Sequence, residues 1–192
     1  MGGRIAFIGA GAVGCYVGGH LTRLGRDVTL VDPWHDHVER MRHEGLEITE
    51  GSESGTVLVR PATMHLHEVS GLFMQSPVDI AFVSVKSYDT EWASTMIRPY
   101  LAPGGFVVSL QNCINEECIA GVVGWGRTLG CIPARLSVEL CAPGRVRRKS
   151  AKGGSEGAVF RVGEIHGRIT DRARMLADML GGIDKSKVTT NL

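Results

Sequence analysis

The apolar run Ile5-Ala6-Phe7-Ile8 opens directly into Gly9-Ala10-Gly11-Ala12-Val13-Gly14, and a second run, Val28-Thr29-Leu30-Val31, ends at Asp32. Glycines in the pattern Gly-x-Gly-x-x-Gly, set between a buried strand and a helix, suit the binding of a pyrophosphate. Gly9 permits a tight turn, Gly11 lets the backbone approach the phosphates, and Gly14 lets the helix pack closely on the strand. The helix start adds free N–H groups and the positive end of its dipole. An acid roughly 20 residues further on completes the dinucleotide-binding fingerprint, and Asp32 supplies it. A carboxylate there can accept hydrogen bonds from both adenosine ribose hydroxyls and repels a 2′-phosphate, so Asp32 favours NAD over NADP. Pro33 and Trp34 follow it where an arginine would favour NADP. Asp32 also reads as a cap of the next helix, with Pro33 at its first position. The two roles are compatible.

Two more polar residues fall just past apolar strands, where open α/β sheets bind their ligands. Lys86 follows Asp79-Ile80-Ala81-Phe82-Val83-Ser84-Val85, and Asn112 follows Phe106 to Leu110 and Gln111. An ammonium at that place can hold a phosphate or polarise a carbonyl, and an amide can bind the nicotinamide ribose or a substrate. Singly, each also reads as a surface lysine or a turn asparagine. Joined to the glycine fingerprint they predict one crevice, with cofactor contacts from Gly9, Ala10, Gly11, Ala12, Val13, Gly14, Asp32, Lys86 and Asn112.

The elements that must position these residues follow from periodicity. Val13, Val17, Leu21 and Leu24 form one helical stripe that closes at Gly25, in the place of a C′ glycine. A second helix is expected from His35 to Glu44, closing at Gly45, and Leu46 to Thr49 with Thr56 to Val59 reads as a hairpin or two adjacent strands across a Gly/Ser/Glu turn. His65 to Met74 reads as a short helix and loop, and Asp89 or Thr90 is expected to cap a helix bearing Trp92, Met96 and Tyr100. Alternating strands and helices predict a doubly wound, mostly parallel sheet. Past Gly124, the runs Leu129 to Ile132, Leu136 to Leu140 and Val159 to Val162, separated by Pro143-Gly144 and Gly153-Gly154, suggest an antiparallel extension of it. A last helix, Asp171 to Leu180, puts Ala173, Leu176, Ala177 and Leu180 on one face. These boundaries make residues 1–182 one Rossmann-like domain and residues 183–192 the start of a linker.

With 43% hydrophobic and 21% charged residues among 192, the composition is that of a globular domain, and a formal net charge of +1 gives no drive toward nucleic acid or anionic membrane. No apolar run is long enough to span a bilayer, and Met1-Gly2-Gly3-Arg4 leads straight into the first strand without a signal peptide. Five cysteines without a Cys-x-x-Cys pair fit free thiols in a reducing cytoplasm. The pairs His35/His37 and His65/His67 diverge if helical, so no metal site is expected. The cluster Arg145, Arg147, Arg148, Lys149 and Lys152 lacks interleaved aromatics and reads as a solvated hairpin, not a nucleic-acid surface.

In these motifs the chain resembles the ketopantoate reductase (2-dehydropantoate 2-reductase) family along its whole length. Gly9 to Gly14 is similar to the family's N-terminal fingerprint, Val83-Ser84-Val85-Lys86-Ser87-Tyr88-Asp89-Thr90 to its lysine motif, and Ser109-Leu110-Gln111-Asn112-Cys113 through Glu117 to its Gln-Asn-Gly segment. Pro143-Gly144 and Val162-Gly163-Glu164 also resemble it. The resemblance implies a cytoplasmic oxidoreductase of pantothenate biosynthesis that reduces a small 2-oxo acid with NADPH, with Lys86 and Asn112 beside the nicotinamide and the carbonyl. Cys113 stands where the family has glycine, so the loop after Asn112 is expected to differ in shape. Asp32-Pro33 replaces a basic neighbourhood, which leaves NAD(P)H as the expected cofactor, with Asp32 pointing to NAD and the family to NADP. The family's general acid, a lysine, lies on a second, helical domain that this chain stops short of. None of Lys86, Lys149, Lys152, Lys185 or Lys187 matches it. The chain thus reads as the cofactor half of a longer enzyme, inactive alone, with its last helix offering an apolar face that favours self-association. A dinucleotide-sensing module without chemistry, or a reductase of another 2-oxo acid, are the alternatives.

Overall fold

A computed structural model describes residues 3–51, 55–152 and 157–192. The centre of the turn after Glu50 and the Gly153-Gly154 break lie outside the described residues. Ile5–Ile8 (β1), the helix Ala12–Arg23 (α1) and Val28–Asp32 (β2) form the opening βαβ unit, with β1 and β2 parallel and Ile8 beside Val31. Ala62–His65 (β5) pairs parallel to β2, and Val78–Val83 (β6), Leu101–Ser109 (β7) and Thr128–Pro133 (β8) continue the parallel sheet on the other side of β1. Phe160–Glu164 (β11) runs antiparallel to β8 and carries Ser186–Val188 (β12) at its outer edge, which gives the order β12-β11-β8-β7-β6-β1-β2-β5. This is the doubly wound, mostly parallel sheet with an antiparallel extension that the alternation of elements predicts. Thr90–Ile97 (α3) and Glu116–Val123 (α4) cover one face, where Ile8, Val31, Ala81, Val83, Ala93, Ile97 and Ile119 are buried together. α1 and Asp171–Gly181 (α5) cover the other, over Phe7, Leu30, Phe82, Val108 and Phe160.

The strand runs that did not join this sheet form a second one. Leu46–Glu50 (β3) and Thr56–Val59 (β4) pair antiparallel, as their sequence suggests, and Val138–Ala142 (β9) with Arg145–Arg148 (β10) makes a hairpin whose second strand lies parallel to β3. The run expected to extend the main sheet from Leu136 to Leu140 therefore belongs to the small sheet, order β4-β3-β10-β9. Its inner residues Ile48 and Val146 pack on α1, and Gly19 of α1 has no room for a Cβ, which would lie 2.6 Å from Ile48 Cδ1. The strand β5, unrecognised in the sequence, is short and half exposed, so it lacks the continuous apolar signal of the inner strands.

Three expectations about the second half change. Arg148 is not part of a solvated hairpin. It is 2% exposed, donates to Tyr16 Oη at 2.8 Å and pairs with Asp184 Oδ2 at 2.6 Å, while Arg145 and Arg147 on the same strand face outward. Tyr16 in turn donates to Glu50 Oε1 at 2.7 Å, so a buried polar chain ties α1, the small sheet and the segment before β12. The residues expected to begin a linker add β12 to the sheet, with Ile183 buried and Leu192 laid over Gly130 and Gly163, where a Cβ would meet it at 2.6 and 3.0 Å. The apolar face of α5 is already covered, since Ala173, Leu176, Ala177 and Leu180 are buried within the domain. The apolar face expected to favour self-association is therefore not at the surface.

Replacing one member of a buried ion pair strands its partner and typically costs about 3–5 kcal/mol. Arg148→Met is accordingly expected to lower unfolding free energy by about 3 kcal/mol in urea titration, with Arg147→Met nearly silent. Equal, small effects from both would contradict the buried network.

Candidate functional site: the crevice at the carboxyl ends of β1, β2, β6 and β7

Each glycine of the fingerprint meets a different physical demand. Gly9 has φ 99°, and a Cβ there would fall 2.8 Å from Val85 Cγ1 and 2.9 Å from Val85 N, so both conformation and space require glycine. A Cβ on Gly14 would be driven into the Gly9 carbonyl and lie 2.8 Å from Ser84 Oγ. Gly11 is the opposite case, since a Cβ there would meet nothing within 4 Å. It borders an open crevice of about 580 Å³. The first helical hydrogen bond of α1 runs from Cys15 N to Gly11 O at 2.8 Å, which leaves the amides of Ala12, Val13 and Gly14 without helical partners.

Ala10 is the structural member of the motif. Its N–H donates to Asp32 Oδ2 at 2.8 Å, and its carbonyl accepts from His37 Nε2 at 2.8 Å and Cys15 Sγ at 2.9 Å. His37 is fully buried and its Nδ1 accepts the Gly144 N–H at 2.9 Å, which assigns the neutral Nε2–H tautomer. Burial pushes its pKa below the usual histidine value. Burial likewise pushes the Cys15 thiol well up, so this sulfur is an inert packing group.

Asp32 lines the crevice, and its Oδ1 accepts the Trp34 N–H at 2.9 Å. The helix His35–His43 (α2) begins after Trp34, so Pro33 precedes it and Asp32 is not its cap. With one bond on each oxygen, the carboxylate retains acceptor capacity on both. Neither Asp89 nor Thr90 caps α3 through its side chain. Thr90 is buried and accepts from Gln111 Nε2 at 2.8 Å instead.

Of the nine residues predicted from sequence, Gly9, Gly11, Ala12, Val13, Asp32, Lys86 and Asn112 line this one crevice, while Ala10 and Gly14 support it from beneath. Lys86 is exposed and, among the described residues, its ammonium has no ion-pair partner. Asn112 is exposed, and its carbonyl accepts from Asn115 Nδ2 at 2.7 Å. It also borders a neighbouring cavity of about 450 Å³ that reaches Glu164 and Leu192. Cys113 has φ 69°, the left-handed region that glycine adopts without cost, so the loop keeps a glycine-like path despite the cysteine.

Sequence reasoning missed three supports. Ser84 donates to Gly9 O at 2.6 Å and so holds the turn. Gln111 is buried, and its Nε2 bridges Val85 O at 2.9 Å and Thr90 Oγ1, which clamps the ends of β6 and β7. Its place between a strand end and Asn112 was the available signal. His37 had none, because its partners lie 27 and 107 residues away.

The order of strands, the tight turn and the open helix start define a Rossmann-like α/β fold. Residues 5–155 match the family described as Ketopantoate reductase PanE/ApbA, and the chain belongs to that family. It is 34% identical over 144 residues to the 2-dehydropantoate 2-reductase of Pyrococcus horikoshii, covering 74% of this chain and 43% of that protein. It is 32% identical over 182 residues to the Archaeoglobus fulgidus enzyme of the same name, covering 92% and 52%. The crystal structure of a PanE/ApbA family ketopantoate reductase from Ralstonia eutropha JMP134 superposes with TM-score 0.80 at 25% identity, covering 98% of this chain and 57% of that one. The chain thus spans about half the length of the curated relatives it matches.

The glycine geometry separates fold from function. Gly14→Ala forces α1 off the turn, and overpacking of this kind costs about 1–3 kcal/mol, whereas Gly11→Ala is expected to leave thermal unfolding unchanged. A melting-temperature loss of similar size in both would mean that Gly11 is not at an open surface.

Proposed function

We propose that this chain is the cofactor-binding half of a cytoplasmic oxidoreductase that reduces a 2-oxo acid of the ketopantoate type with NAD(P)H. The observation that carries the reading is the convergence of a pyrophosphate-compatible glycine turn, a carboxylate, an ammonium without an ion-pair partner among the described residues, and an amide on one crevice. The residues fit a dinucleotide. The open space at Gly11 and the free amides of Ala12 and Val13 would take the pyrophosphate, and Asp32 the adenosine ribose. A bound reduced nicotinamide supplies a hydride for the substrate's carbonyl carbon. Lys86 then holds the negative charge that develops on the carbonyl oxygen, and Asn112, between the two cavities, orients the reacting ends. We assign no proton donor within the crevice, because its one ammonium is given that electrostatic task.

Calorimetric titration at pH 8 is expected to give tighter binding of NADH than of NADPH, and Asp32→Ala to narrow the gap. Preference for NADPH at that pH would reverse the assignment of Asp32. Gly11→Val is expected to abolish binding while the fold persists, and Lys86→Ala to weaken it several-fold, as for an exposed charge contact. With ketopantoate, the chain alone is expected to oxidise NADH at least about 100-fold more slowly than a full-length relative, the usual worth of a general acid. Equal rates would move the acid's role to Lys86.

A further inference from the structure

The backbone ladder between β6 and β7 ends, among the described residues, with the Leu110 N–H donating to Val83 O at 2.9 Å. In a parallel pair the following rung would join Val85 O to the Asn112 N–H. Here the Gln111 side chain takes that rung, with its Nε2 donating to Val85 O at 2.9 Å, and the chain after Gln111 is released from the strand. Through its other N–H the same Nε2 donates to Thr90 Oγ1 at 2.8 Å. Val85 is the residue before Lys86, and Thr90 opens α3 directly after the turn Ser87–Asp89. One amide therefore ties both ends of the segment Lys86 to Asp89, from which the crevice ammonium extends.

The orientation of this amide follows from its partners. The Val85 carbonyl can only accept, so the nitrogen of Gln111 and not the oxygen must face it. The oxygen, Oε1, is then buried without a hydrogen-bond partner among the described residues, in a side chain 5% exposed. An orphaned buried acceptor is costly, so packing alone does not account for glutamine at this place. The neighbouring parts of the crevice have anchors of their own. Ser84 is tied to β1 through its N–H to Ile8 O at 2.9 Å and its hydroxyl to Gly9 O at 2.6 Å, and Asn112 is held by Asn115. Within the Lys86 segment, the Asp89 N–H donates to Lys86 O at 2.9 Å, which shapes the turn without attaching it to the sheet. Beside a long contact from Ser87 Oγ to Asn112 O at 3.5 Å, the attachment falls to Gln111.

We propose that Gln111 is a positioning residue for Lys86, holding both ends of its turn so that the ammonium meets a bound dinucleotide from a fixed base. The inference rests on the crevice being a dinucleotide site. A lysine side chain has many rotamers to lose, and a contact made from a pre-organised backbone costs less ordering on binding. With the tie cut, the turn is loosened from the ends of β6 and β7 and the charge contact is diluted. The glycine turn, held by Ser84 and Asp32, persists. The effect of Gln111 on binding thus passes through Lys86 and disappears once the ammonium is removed. Thr90 is 1% exposed and stands outside the crevice, so its effect on binding passes through the same amide.

The test is calorimetric titration of the intact chain with NADH, with melting temperatures recorded alongside. The proteins compared are the unmodified chain, Gln111→Met, Lys86→Ala, the double variant, Thr90→Val and Thr90→Ser. Gln111→Met and Lys86→Ala are each expected to weaken NADH binding about fivefold, with the double variant within about twofold of Lys86→Ala alone. Thr90→Val is expected to weaken binding in the same direction, and Thr90→Ser, which keeps the hydroxyl acceptor, to restore it. Losses that multiply in the double variant, or an unaltered affinity in Gln111→Met or in Lys86→Ala, would overturn the role of Gln111 and leave the dinucleotide site intact. Should Gln111→Met fail to fold, equal affinities of Thr90→Val and Thr90→Ser would overturn it in the same way. Absence of NADH binding by the unmodified chain would instead remove the site itself, and the inference with it.

Discussion

The first turn of α1 lies so close to the end of β1 that only hydrogen fits between them, and most of the molecule is arranged around that contact. With Gly14 against the Gly9 carbonyl, the helix axis points its unpaired amides across the strand ends instead of away from them. Backbone dipoles then face one open space, where an anion can replace the water that would otherwise satisfy them. The Ser84 hydroxyl, donating to the same carbonyl, sets how near β6 can come, and Val85 closes the turn from the other side. Strand order follows from this. β1 must be central, flanked by β2 and β6, because both neighbours contribute atoms that the turn touches.

The peptide of Ala10 extends that constraint outward. Its amide is fixed by Asp32 and its carbonyl by His37, which in turn holds the turn between β9 and β10. A neutral histidine is well suited to this, since one nitrogen donates and the other accepts. The small sheet is therefore coupled to the glycine turn through hydrogen bonds, and to the far edge of the main sheet through Arg148, Tyr16 and Asp184. Buried polar chains of this kind add little net free energy compared with apolar packing, but each member is costly to orphan, so they fix relative position.

The crevice itself is sparsely charged. The Asp32 carboxylate is partly occupied by backbone amides, and the Lys86 ammonium, held out by a short turn, has no counter-ion among the described residues. Such an arrangement favours a ligand that brings both negative charge and hydroxyl groups. It also explains why Cys113 is tolerated. The loop after Asn112 needs a left-handed residue, and a cysteine can adopt that conformation at a cost on the order of 1 kcal/mol.

Much of this was readable from the chain alone. The apolar strands, the glycine spacing and Asp32 are local signals, decided by short-range sterics and by periodicity, and they located seven of the crevice residues. The doubly wound sheet followed from the alternation of elements. What the sequence did not reveal depends on contacts between distant segments. The run that forms β9 was expected in the main sheet and lies in the small one, because an alternating strand can pair with either. Arg148 was indistinguishable from Arg145 and Arg147 until its partner Asp184 was placed beside it. His35 meets His65 only when β5 pairs with β2. The sequence by itself determined the turn that can hold a phosphate, because backbone conformation and helix dipoles are properties of neighbouring residues. Only the tertiary structure decided what surrounds that turn, because burial and charge pairing are set by residues that folding brings in from elsewhere.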